Sequence, residues 1–316
     1  MNRLYLGVDT SNYTTSVSCV SDEGIVFEQR TMLSVPLGER GLRQSDALFQ
    51  HVRQLPPLIE RALSSVNRAE LSAVAVSTKP TGAEDSYMPV FLAGKLAAVS
   101  IAASLGIPLY ETTHQAGHIR AAMFGQEREI GAAPFLAMHL SGGTTDLLTV
   151  RLQNGLIGEI DRIGGCSDLH AGQFVDRVGV KIGLPFPSGS SLETLAKSAV
   201  DRGLKLPSSV KGLDCSFSGQ ETQCLRLLEQ GTPKETVAYA VYDCMARTFA
   251  KLLTGAFERT GFCAALLSGG VSGSPLLRRL LGERLRQRLY YAADGLSSDN
   301  AVGTALLARD QFSNGR

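Results

Sequence analysis

One pattern of strands and turns occurs twice in this chain, about 130 residues apart. The first copy has an apolar run at residues 4–8 that ends at Asp9, a β-branched stretch at 14–20, and a third stretch at 25–31 after a turn at Gly24. The second copy has corresponding stretches at 135–140, 147–152 and 156–163, with a turn at Gly155. This repetition predicts a duplicated domain, although unrelated hairpins can share such a pattern by chance.

The segments around both copies alternate between strand and helix patterns. Further strands are predicted at 71–76, 107–110 and 264–267, and helices at 45–66 (interrupted by Pro56-Pro57), 90–105, 171–182, 192–200, 236–257, 275–288 and 299–309. This alternation is typical of the α/β class. We expect an N-terminal lobe at 1–130, with the C-terminal helix 297–316 packing back on it, and a C-terminal lobe at 131–296.

The composition is that of a folded protein without a strong overall charge. Of the 316 residues, 44% are hydrophobic and 19% are charged, which allows a large core and excludes global disorder. The net charge of +1 creates no field that attracts nucleic acid, so an RNA contact requires a local basic patch. Six scattered cysteines form no CxxC pair, which favours a reducing compartment. The start is unlike a signal peptide, and the longest apolar stretch contains Lys95, so we expect a cytoplasmic protein without a membrane span.

Three loops at predicted strand ends are rich in glycine and small polar residues. In such loops, backbone N–H groups and hydroxyls can bind phosphate. A single loop of this kind is usually only a turn, but two of these three occupy equivalent places in the repeat. We therefore predict phosphate binding from both sides of a cleft between two lobes. The loops are Asp9-Thr10-Ser11-Asn12, Ser141-Gly142-Gly143-Thr144-Thr145 and Ser268-Gly269-Gly270.

His114 and His118 are spaced as two metal ligands on one helix face. A lone HxxxH is more often a pair of ordinary core or surface histidines, which is the alternative reading. The hydrolytic zinc motif needs glutamate after the first histidine, and this chain has Gln115, so a peptidase is not supported. Asp299 is a possible third ligand, and its alternative role is to cap the last helix.

A basic cluster is predicted around the helix at 275–288. Its usual role is a solvated helix face, and the alternative is contact with RNA. No Ser/His/Asp or Cys/His arrangement can be recognised from spacing. The cluster consists of Arg278, Arg279, Arg284, Arg286 and Arg288.

Eight ordered motifs make the chain resemble the TsaD family, the tRNA adenosine threonylcarbamoyltransferases once described as sialoglycoprotein endopeptidases. The resemblance runs nearly end to end. The opening LGVDTS resembles the family's GIETS, and HQAGH matches HxxGH. SGGTT resembles SGGHT, GQFVDR resembles GEAFDK, and GLPFPSG resembles the GLxYPGG that follows it. Further on, DCSFSG resembles DFSFSGLK, SGGV resembles SGGVAAN, and SDNA resembles TDNAA.

The resemblance implies a fold, a reaction and a set of site residues. The fold is the duplicated α/β fold of the actin, sugar-kinase and Hsp70 ATPases (ASKHA), with two lobes around a central nucleotide cleft. The reaction is acyl transfer of threonylcarbamoyl from threonylcarbamoyl-AMP to N6 of an adenosine in tRNA, beside one divalent metal ion (Fe or Zn). The implied partners are tRNA and TsaB-like and TsaE-like pathway proteins. The implied ligands are His114, His118 and Asp299 for the metal, and Ser141, Gly142, Gly143, Thr144, Thr145, Asp176, Gly189 and Ser274 for the adenine nucleotide (threonylcarbamoyl-AMP, ATP or ADP), to which the third loop adds Gly269 and Gly270.

Several family positions carry different residues here. Two acidic residues of the family's ETSCDET are replaced by Tyr13 and Thr14, and the glutamate of GEAFDK is replaced by Gln173. Thr144 replaces the histidine of SGGHT, and Ser274 replaces the asparagine of SGGVAAN. Loss of a general base or an orienting carboxylate can cost orders of magnitude in rate.

Three functional readings therefore stay open. The first is the transferase. The second is a nucleotide- and metal-binding paralogue that is non-catalytic or uses another substrate. The third is a phosphotransferase like the sugar or acetate kinases. A kinase needs a carboxylate base, for which Asp9 is the candidate, whereas the HxxxH pair favours the first two readings.

Overall fold

The computed structural model describes residues 3–11, 13–35, 42–166, 168–298 and 300–315. The chain forms two compact units. Unit 1 comprises Met1–Glu127, Leu152–Gly158 and Ser298–Arg316, and unit 2 comprises Arg128–Arg151 and Glu159–Ser297. Among the described residues, every helix is too short or too polar to cross a membrane.

The elements alternate between strands and helices along the whole chain. The first half contains β1 (Leu4–Ser11), β2 (Thr14–Ser21), β3 (Ile25–Met32), α1 (Gln44–Ser64), β4 (Leu71–Lys79), α2 (Phe91–Leu105), β5 (Leu109–Thr113), α3 (His114–Met123), α4 (Glu127–Ile130) and β6 (Phe135–Leu140). The second half contains β7 (Thr145–Gln153), β8 (Leu156–Cys166), α5 (Ala171–Ile182), α6 (Gly189–Lys197), β9 (Ser209–Lys211), β10 (Asp214–Ser216), α7 (Ser218–Glu229), α8 (Lys234–Thr260), β11 (Ala264–Ser268), α9 (Pro275–Gly282), β12 (Arg288–Tyr291) and α10 (Val302–Asn314). Short 3₁₀ turns lie at Arg68–Glu70 and Gly270–Gly273.

Unit 1 is built on a sheet with the order β3-β2-β1-β4-β5. β1 pairs antiparallel with β2 and parallel with β4, which pairs parallel with β5. Helices α1 and α2 pack on this sheet through a core that includes Val8, Leu58 and Val76. Helix α10 packs against β1, β4 and α3. The carboxyl ends of β1, β4 and β5 therefore lie along one edge of the sheet.

Unit 2 is built on a sheet with the order β12-β11-β6-β7-β8-β10-β9. β6 is antiparallel to β7 and parallel to β11, which is parallel to β12. Its core lies between the sheet and α5, α8 and α9, and includes Leu140, Phe174, Phe249 and Leu277. Helix α8 is the longest helix of the described residues, and its apolar residues are buried on most of its faces.

The two sheets confirm the duplication predicted from the sequence. The order β3-β2-β1-β4-β5 in unit 1 corresponds, strand for strand, to β8-β7-β6-β11-β12 in unit 2. Unit 2 adds β10 and β9 beyond β8. The β1–β2 and β6–β7 loops differ in length. The last paired residues are Ser11 and Thr14 in unit 1, but Leu140 and Thr145 in unit 2.

The helix predicted to break at Pro56-Pro57 is continuous. Helix α1 runs from Gln44 through both prolines to Ser64. Each proline removes one backbone hydrogen bond, but both lie on the exposed side of the helix, where water can solvate the freed carbonyl groups. Burial of the opposite side, which includes Leu55 and Leu58, offsets that loss.

Two other segments differ from their predicted form. Asp9, Thr10 and Ser11 are buried residues of β1 and not a surface loop, and Asn12 lies outside the described residues. The helix predicted at 275–288 ends at Gly282, and the chain then forms β12 beside β11. The basic cluster therefore does not surround a single helix.

Candidate functional site

In unit 1, three polar residues meet at the carboxyl ends of neighbouring parallel strands. Val8 and Val76 are paired across β1 and β4, so Asp9 and Ser77 follow as neighbours at the same edge. Helix α3 begins directly after β5, which places His114 beside them. Three segments distant in sequence thus converge because the sheet is parallel at this point.

Asp9 is buried, with 1% of its surface exposed, and both carboxylate oxygens have partners. Oδ1 accepts the backbone N–H of Ser11 at 2.9 Å, and Oδ2 accepts the hydroxyl of Ser77 at 2.6 Å. Oδ2 also lies 3.0 Å from Nδ1 of His114. Burial by itself raises the pKa of Asp9, but the attraction of His114 and these hydrogen bonds outweigh it, so the net pKa is lowered. The ionised carboxylate can only accept, and Nδ1 of His114 therefore carries the proton.

The two histidines of the HxxxH pair meet through the same ring atom. Thr113 caps the start of α3 by accepting the N–H of Ala116, and the one-turn spacing places both imidazoles on one face. Nε2 of His118 lies 2.9 Å from Nε2 of His114. When His114 is neutral, its proton lies on Nδ1 and Nε2 carries a lone pair. The two Nε2 atoms are therefore placed to share a proton or to bind one metal ion, and two imidazoles suit Zn or Fe.

A third ligand is not found near the histidine pair among the described residues. No group of three His, Cys, Asp or Glu side chains able to hold a metal occurs in that part of the chain. Asp299, the predicted third ligand, lies outside the described residues. Its neighbours are described: Asn300 accepts the N–H of Val302 at the start of α10.

Helix α10 packs closely on the helix that carries the histidines. A Cβ atom on Gly303 would lie 1.8 Å from the carbonyl oxygen of Gly117, so only glycine allows this approach. At the other end of the contact, buried Arg120 forms an ion pair with Asp310 of α10. The first turn of α10 is therefore fixed against α3 at Gly117, the residue directly before His118.

The other predicted site residues lie in unit 2, where the β6–β7 turn packs on α5. Ser141 Oγ accepts the N–H groups of Gly143 and Thr144, and the Ser141 carbonyl accepts the N–H of Gly172. Thr145 Oγ1 accepts the N–H of Ala171, the first residue of α5. These bonds fix the turn against the beginning of the helix.

Further contacts connect α5 to the remaining predicted residues. Asp176 of α5 accepts the N–H of Ser188, which precedes Gly189 at the start of α6. Glu193 of α6 accepts the N–H of Leu276 in α9. Ser274 caps α9 through its hydroxyl. Hydrogen bonds therefore connect α5 to the start of α6, and α6 to the start of α9.

The glycines of these segments fall into two classes. Gly269 is required by the fold, because its φ is +87° and a Cβ atom would lie 2.2 Å from the carbonyl oxygen of Leu140. The others have no left-handed backbone angle, and a Cβ atom would meet nothing within 4 Å. The fold therefore does not explain why these positions are glycine. They are Gly142, Gly143, Gly189 and Gly270.

Asp168 was not singled out from the sequence, yet it organises the segment that contains the SFSG motif. Its carboxylate accepts the hydroxyls of Ser216 and Ser218 and the backbone N–H groups of Phe217 and Ser218 at the start of α7. Burial raises the pKa of Asp168. The hydrogen bonds from the Ser216 and Ser218 side chains outweigh this effect, so the net pKa lies well below its usual value. Asp168 lies 48 residues before Ser216 in sequence, so no local pattern in the sequence connects it to this motif.

Comparison with known proteins identifies relatives along most of the chain. The family model for TsaD, tRNA N6-adenosine threonylcarbamoyltransferase, matches residues 36–306. A tRNA N6-adenosine threonylcarbamoyltransferase of Thermus thermophilus is 33% identical over 313 residues, which cover 96% of this chain and 91% of that protein.

Comparison with solved structures confirms the predicted actin, sugar-kinase and Hsp70 type of fold. HypF of T. kodakarensis is similar with a TM-score of 0.64 and 14% identity, over 99% of this chain and 48% of that one. A ROK family glucokinase from Streptomyces griseus, solved with glucose and AMPPNP, gives a TM-score of 0.54 and 15% identity, over 97% of this chain and 99% of that one. At these identities the similarity concerns the fold alone.

Proposed function

Because the chain belongs to the TsaD family of tRNA N6-adenosine threonylcarbamoyltransferases, we propose that it transfers threonylcarbamoyl from threonylcarbamoyl-AMP to N6 of an adenosine in tRNA with the help of a bound metal ion. The observation that carries the proposal is the meeting of two imidazole Nε2 atoms beside a buried carboxylate. Two imidazole nitrogens that face each other in this way offer two ligands to one metal ion. Reconstitution with tRNA, threonine, bicarbonate, ATP and the other pathway proteins tests it.

The metal would be held by His114, His118 and Asp299. The donor set fits Fe or Zn, and Asp9 acts as the outer carboxylate that fixes the tautomer and orientation of His114. When bound, the metal polarises the carbamoyl or phosphate oxygen as a Lewis acid. Asp9 itself is not free to act as a general base, because both of its oxygens already accept hydrogen bonds in a buried position. This argues against the kinase reading, which needs that carboxylate.

The adenine nucleotide, as threonylcarbamoyl-AMP, ATP or ADP, would bind along the glycine segments of unit 2. Gly142, Gly143, Gly189 and Gly270 expose bare backbone where the fold does not need glycine. Glycine at such positions lets a phosphate or base approach the N–H groups closely. Asp176 and Ser274 support this surface by holding the first turns of α6 and α9.

The missing acidic residues affect this proposal unequally. Gln173 accepts the N–H of His170 at the start of α5, a hydrogen bond that a glutamate would make in the same way. Tyr13 is 40% exposed, so the presence of tyrosine in place of the family's acidic residue changes the surface and not the core. Thr14 is buried in β2, so a glutamate at this position would lose its solvation.

The alternative is a nucleotide- and metal-binding paralogue that has lost this reaction or acts on another substrate. Tyr13→Asp tests it, because this exposed position can accept a carboxylate without a burial cost. If the wild type is inactive and Tyr13→Asp gains activity, the chain is a paralogue that lost the chemistry at this loop. Thr14→Glu is a poor test, since it would bury a charge.

The partners would be tRNA and a TsaB-like pathway protein, and the proposed location is the cytoplasm. An exposed apolar surface of unit 1 supports a protein partner, because such patches mark interaction sites. α1 and α2 pack side by side, and both present apolar side chains to the outside. A TsaE-like partner stays a prediction from the family resemblance. The surface consists of Phe49 and Val52 on α1 and Leu92, Leu96 and Val99 on α2.

Leu96→Glu should prevent this protein from co-eluting with a TsaB-like protein in size-exclusion chromatography. Leu96 is 70% exposed, so the substitution should not unfold the chain. Val200→Glu in unit 2 is the matched control, because it replaces another exposed aliphatic residue by the same charge. Retained co-elution of the Leu96→Glu variant would exclude this surface as the contact.

A further inference from the structure

The five arginines of the basic cluster divide into two groups in the structure. Arg284 forms an ion pair with buried Asp243, and Arg278 donates to the carbonyls of Ser272 and Ala292. Arg279 faces Glu283 one turn along α9. These three arginines have structural partners within unit 2.

Arg286 and Arg288 differ from the other three. Both are exposed, and within the described part of the chain neither forms an ion pair or a hydrogen bond. They flank Gln287, and Arg288 is the first residue of β12, which is an edge strand of the sheet. Arg286 precedes this strand by two residues, so the two uncompensated guanidinium groups belong to one short exposed segment.

A groove lies beside these arginines. Its volume is about 440 Å³, which is of the size of one nucleotide, and Glu129 is the one acidic residue in its lining. The Tyr290 hydroxyl donates to the backbone carbonyl of Glu129, which holds the tyrosine ring in place. Arg286, Gln287, Arg288, Tyr290 and Cys263 also line it.

We infer that this groove binds a single-stranded segment of the RNA substrate, an inference that rests on the proposed function. Arginine binds phosphate through its fork of N–H donors, a tyrosine ring stacks on an unpaired base, and a glutamine amide can bond a base edge. All three side-chain types line this one groove. The net charge of the chain is only +1, so RNA binding requires a local site of this kind.

A protein partner is the competing occupant of this surface. An edge strand offers unpaired backbone groups, and an extended peptide can add to it. A peptide bound in that way would not need two uncompensated arginines. RNA accounts for them, because each phosphate neutralises one charge.

Cys263 provides a direct test, because it is the exposed cysteine and the other five are buried. An unmodified tRNA transcript should slow alkylation of Cys263 by N-ethylmaleimide at least about tenfold at saturation, measured by intact-protein mass spectrometry. Cys263→Ser should remove the fast alkylation and so identify the labelled thiol. Equal alkylation rates with and without bound tRNA, at a concentration where filter binding shows saturation, would overturn the inference.

Arg286→Ala/Arg288→Ala should weaken tRNA binding and lower the salt slope of log Kd by about 2, or about one for each phosphate contact. The matched control is Lys211→Ala/Arg226→Ala, which removes the same charge from exposed positions on β9 and α7. Lys211 lies on the opposite edge strand of the same sheet. An unchanged Kd and slope in the arginine variant, or an equal loss in the control, would contradict the groove as an RNA site.

The outcomes separate this inference from the proposed function. Protection of Cys263 that depends on both arginines would support the groove even if no modified nucleoside were formed. Normal nucleoside formation by Arg286→Ala/Arg288→Ala with unchanged tRNA affinity would overturn the groove and leave the transferase intact. Protection by a pathway protein and not by tRNA would assign the surface to a protein partner instead.

Discussion

The carboxylate of Asp9 lies 3.0 Å from Nδ1 of His114, across a separation of 105 residues in sequence. The parallel order β1-β4-β5 creates this contact. The contact fixes the proton on Nδ1 and leaves Nε2 of His114 directed at Nε2 of His118. The proposed metal site depends on this arrangement, since a histidine ligand needs its second ring nitrogen to be held.

Asp9→Asn should lower metal affinity about 10- to 100-fold, which is the usual cost of losing such an outer carboxylate. The amide keeps the size of the side chain but cannot hold the His114 tautomer as an anion does. Isothermal titration with Zn²⁺ measures the effect, and Asp22→Asn, at an exposed position of the β2–β3 turn, is the control. Equal affinities for the wild type and Asp9→Asn would show that Asp9 does not support the ligand.

His114→Ala and His118→Ala should each reduce bound metal from about one ion per chain to near zero in protein purified without oxygen, because each removes a ligand from the site. Elemental analysis by mass spectrometry measures this content. His170→Asn, which changes a histidine at the start of α5 in unit 2, should keep its metal. Asp299→Ala tests the third ligand separately, and full retention of metal in that variant would exclude Asp299.

Gly142→Val should weaken ADP binding by about tenfold or more, equivalent to about 1.4 kcal/mol, without lowering thermal stability. Open space surrounds the position of the new side chain, so only a ligand would meet it. Calorimetric titration with ADP and differential scanning fluorimetry measure the two effects. A stable variant with wild-type affinity would contradict the nucleotide proposal at this turn.

Gly269→Ala should behave differently and destabilise unit 2 by about 2–4 kcal/mol. The cause is its φ of +87° together with the 2.2 Å approach of a Cβ atom to the Leu140 carbonyl oxygen. Urea denaturation measures the free energy of unfolding. Loss of nucleotide binding in this variant would therefore report unfolding, so Gly142 and not Gly269 is the useful position for testing the ligand.

Asp243→Asn should destabilise the protein by about 3 kcal/mol at pH 7, since it breaks a buried ion cluster. Asp243 is 1% exposed and contacts Arg247 at 2.8 Å, Arg284 at 2.7 Å and Lys205 at 3.2 Å. Burial raises the pKa of Asp243, but Arg247 and Lys205 outweigh it, so the net pKa is lowered. The stabilisation is therefore present above the ordinary carboxyl pKa of about 4 and is lost as the pH falls through the lowered value. A wild-type advantage in urea that does not shrink at low pH would contradict this account.

The fold was largely predictable because its signals are local and repeated. Hydrophobic runs ending at Asp9 and at Leu140, each followed by a hairpin, indicated the duplication. β12 was missed because residues 283–291 have no alternating pattern, and their extended form depends on pairing with β11. The continuity of α1 through Pro56 and Pro57 was missed for a related reason. Packing of the buried side of this helix stabilises it and offsets the backbone hydrogen bonds that the prolines remove.

The site was predictable only where residues are close in sequence. His114 and His118 were recognised from their spacing, whereas the contact between Asp9 and His114 requires the parallel sheet. Ser77 directly follows a predicted strand, and this position at a carboxyl strand end was the available signal. Which glycines the fold requires, as at Gly269, and which it does not, as at Gly142, depends on distances that no pattern contains.

The most direct test of the account is the yield of threonylcarbamoyladenosine in tRNA from the reconstituted reaction, measured by nucleoside mass spectrometry. Wild-type protein, folded and loaded with metal, should produce the modified nucleoside well above a reaction that lacks it. His114→Ala/His118→Ala should fall to background, while His170→Asn should keep its activity. No product from the wild type, or equal product from the double variant, would contradict the proposed metal-assisted transfer.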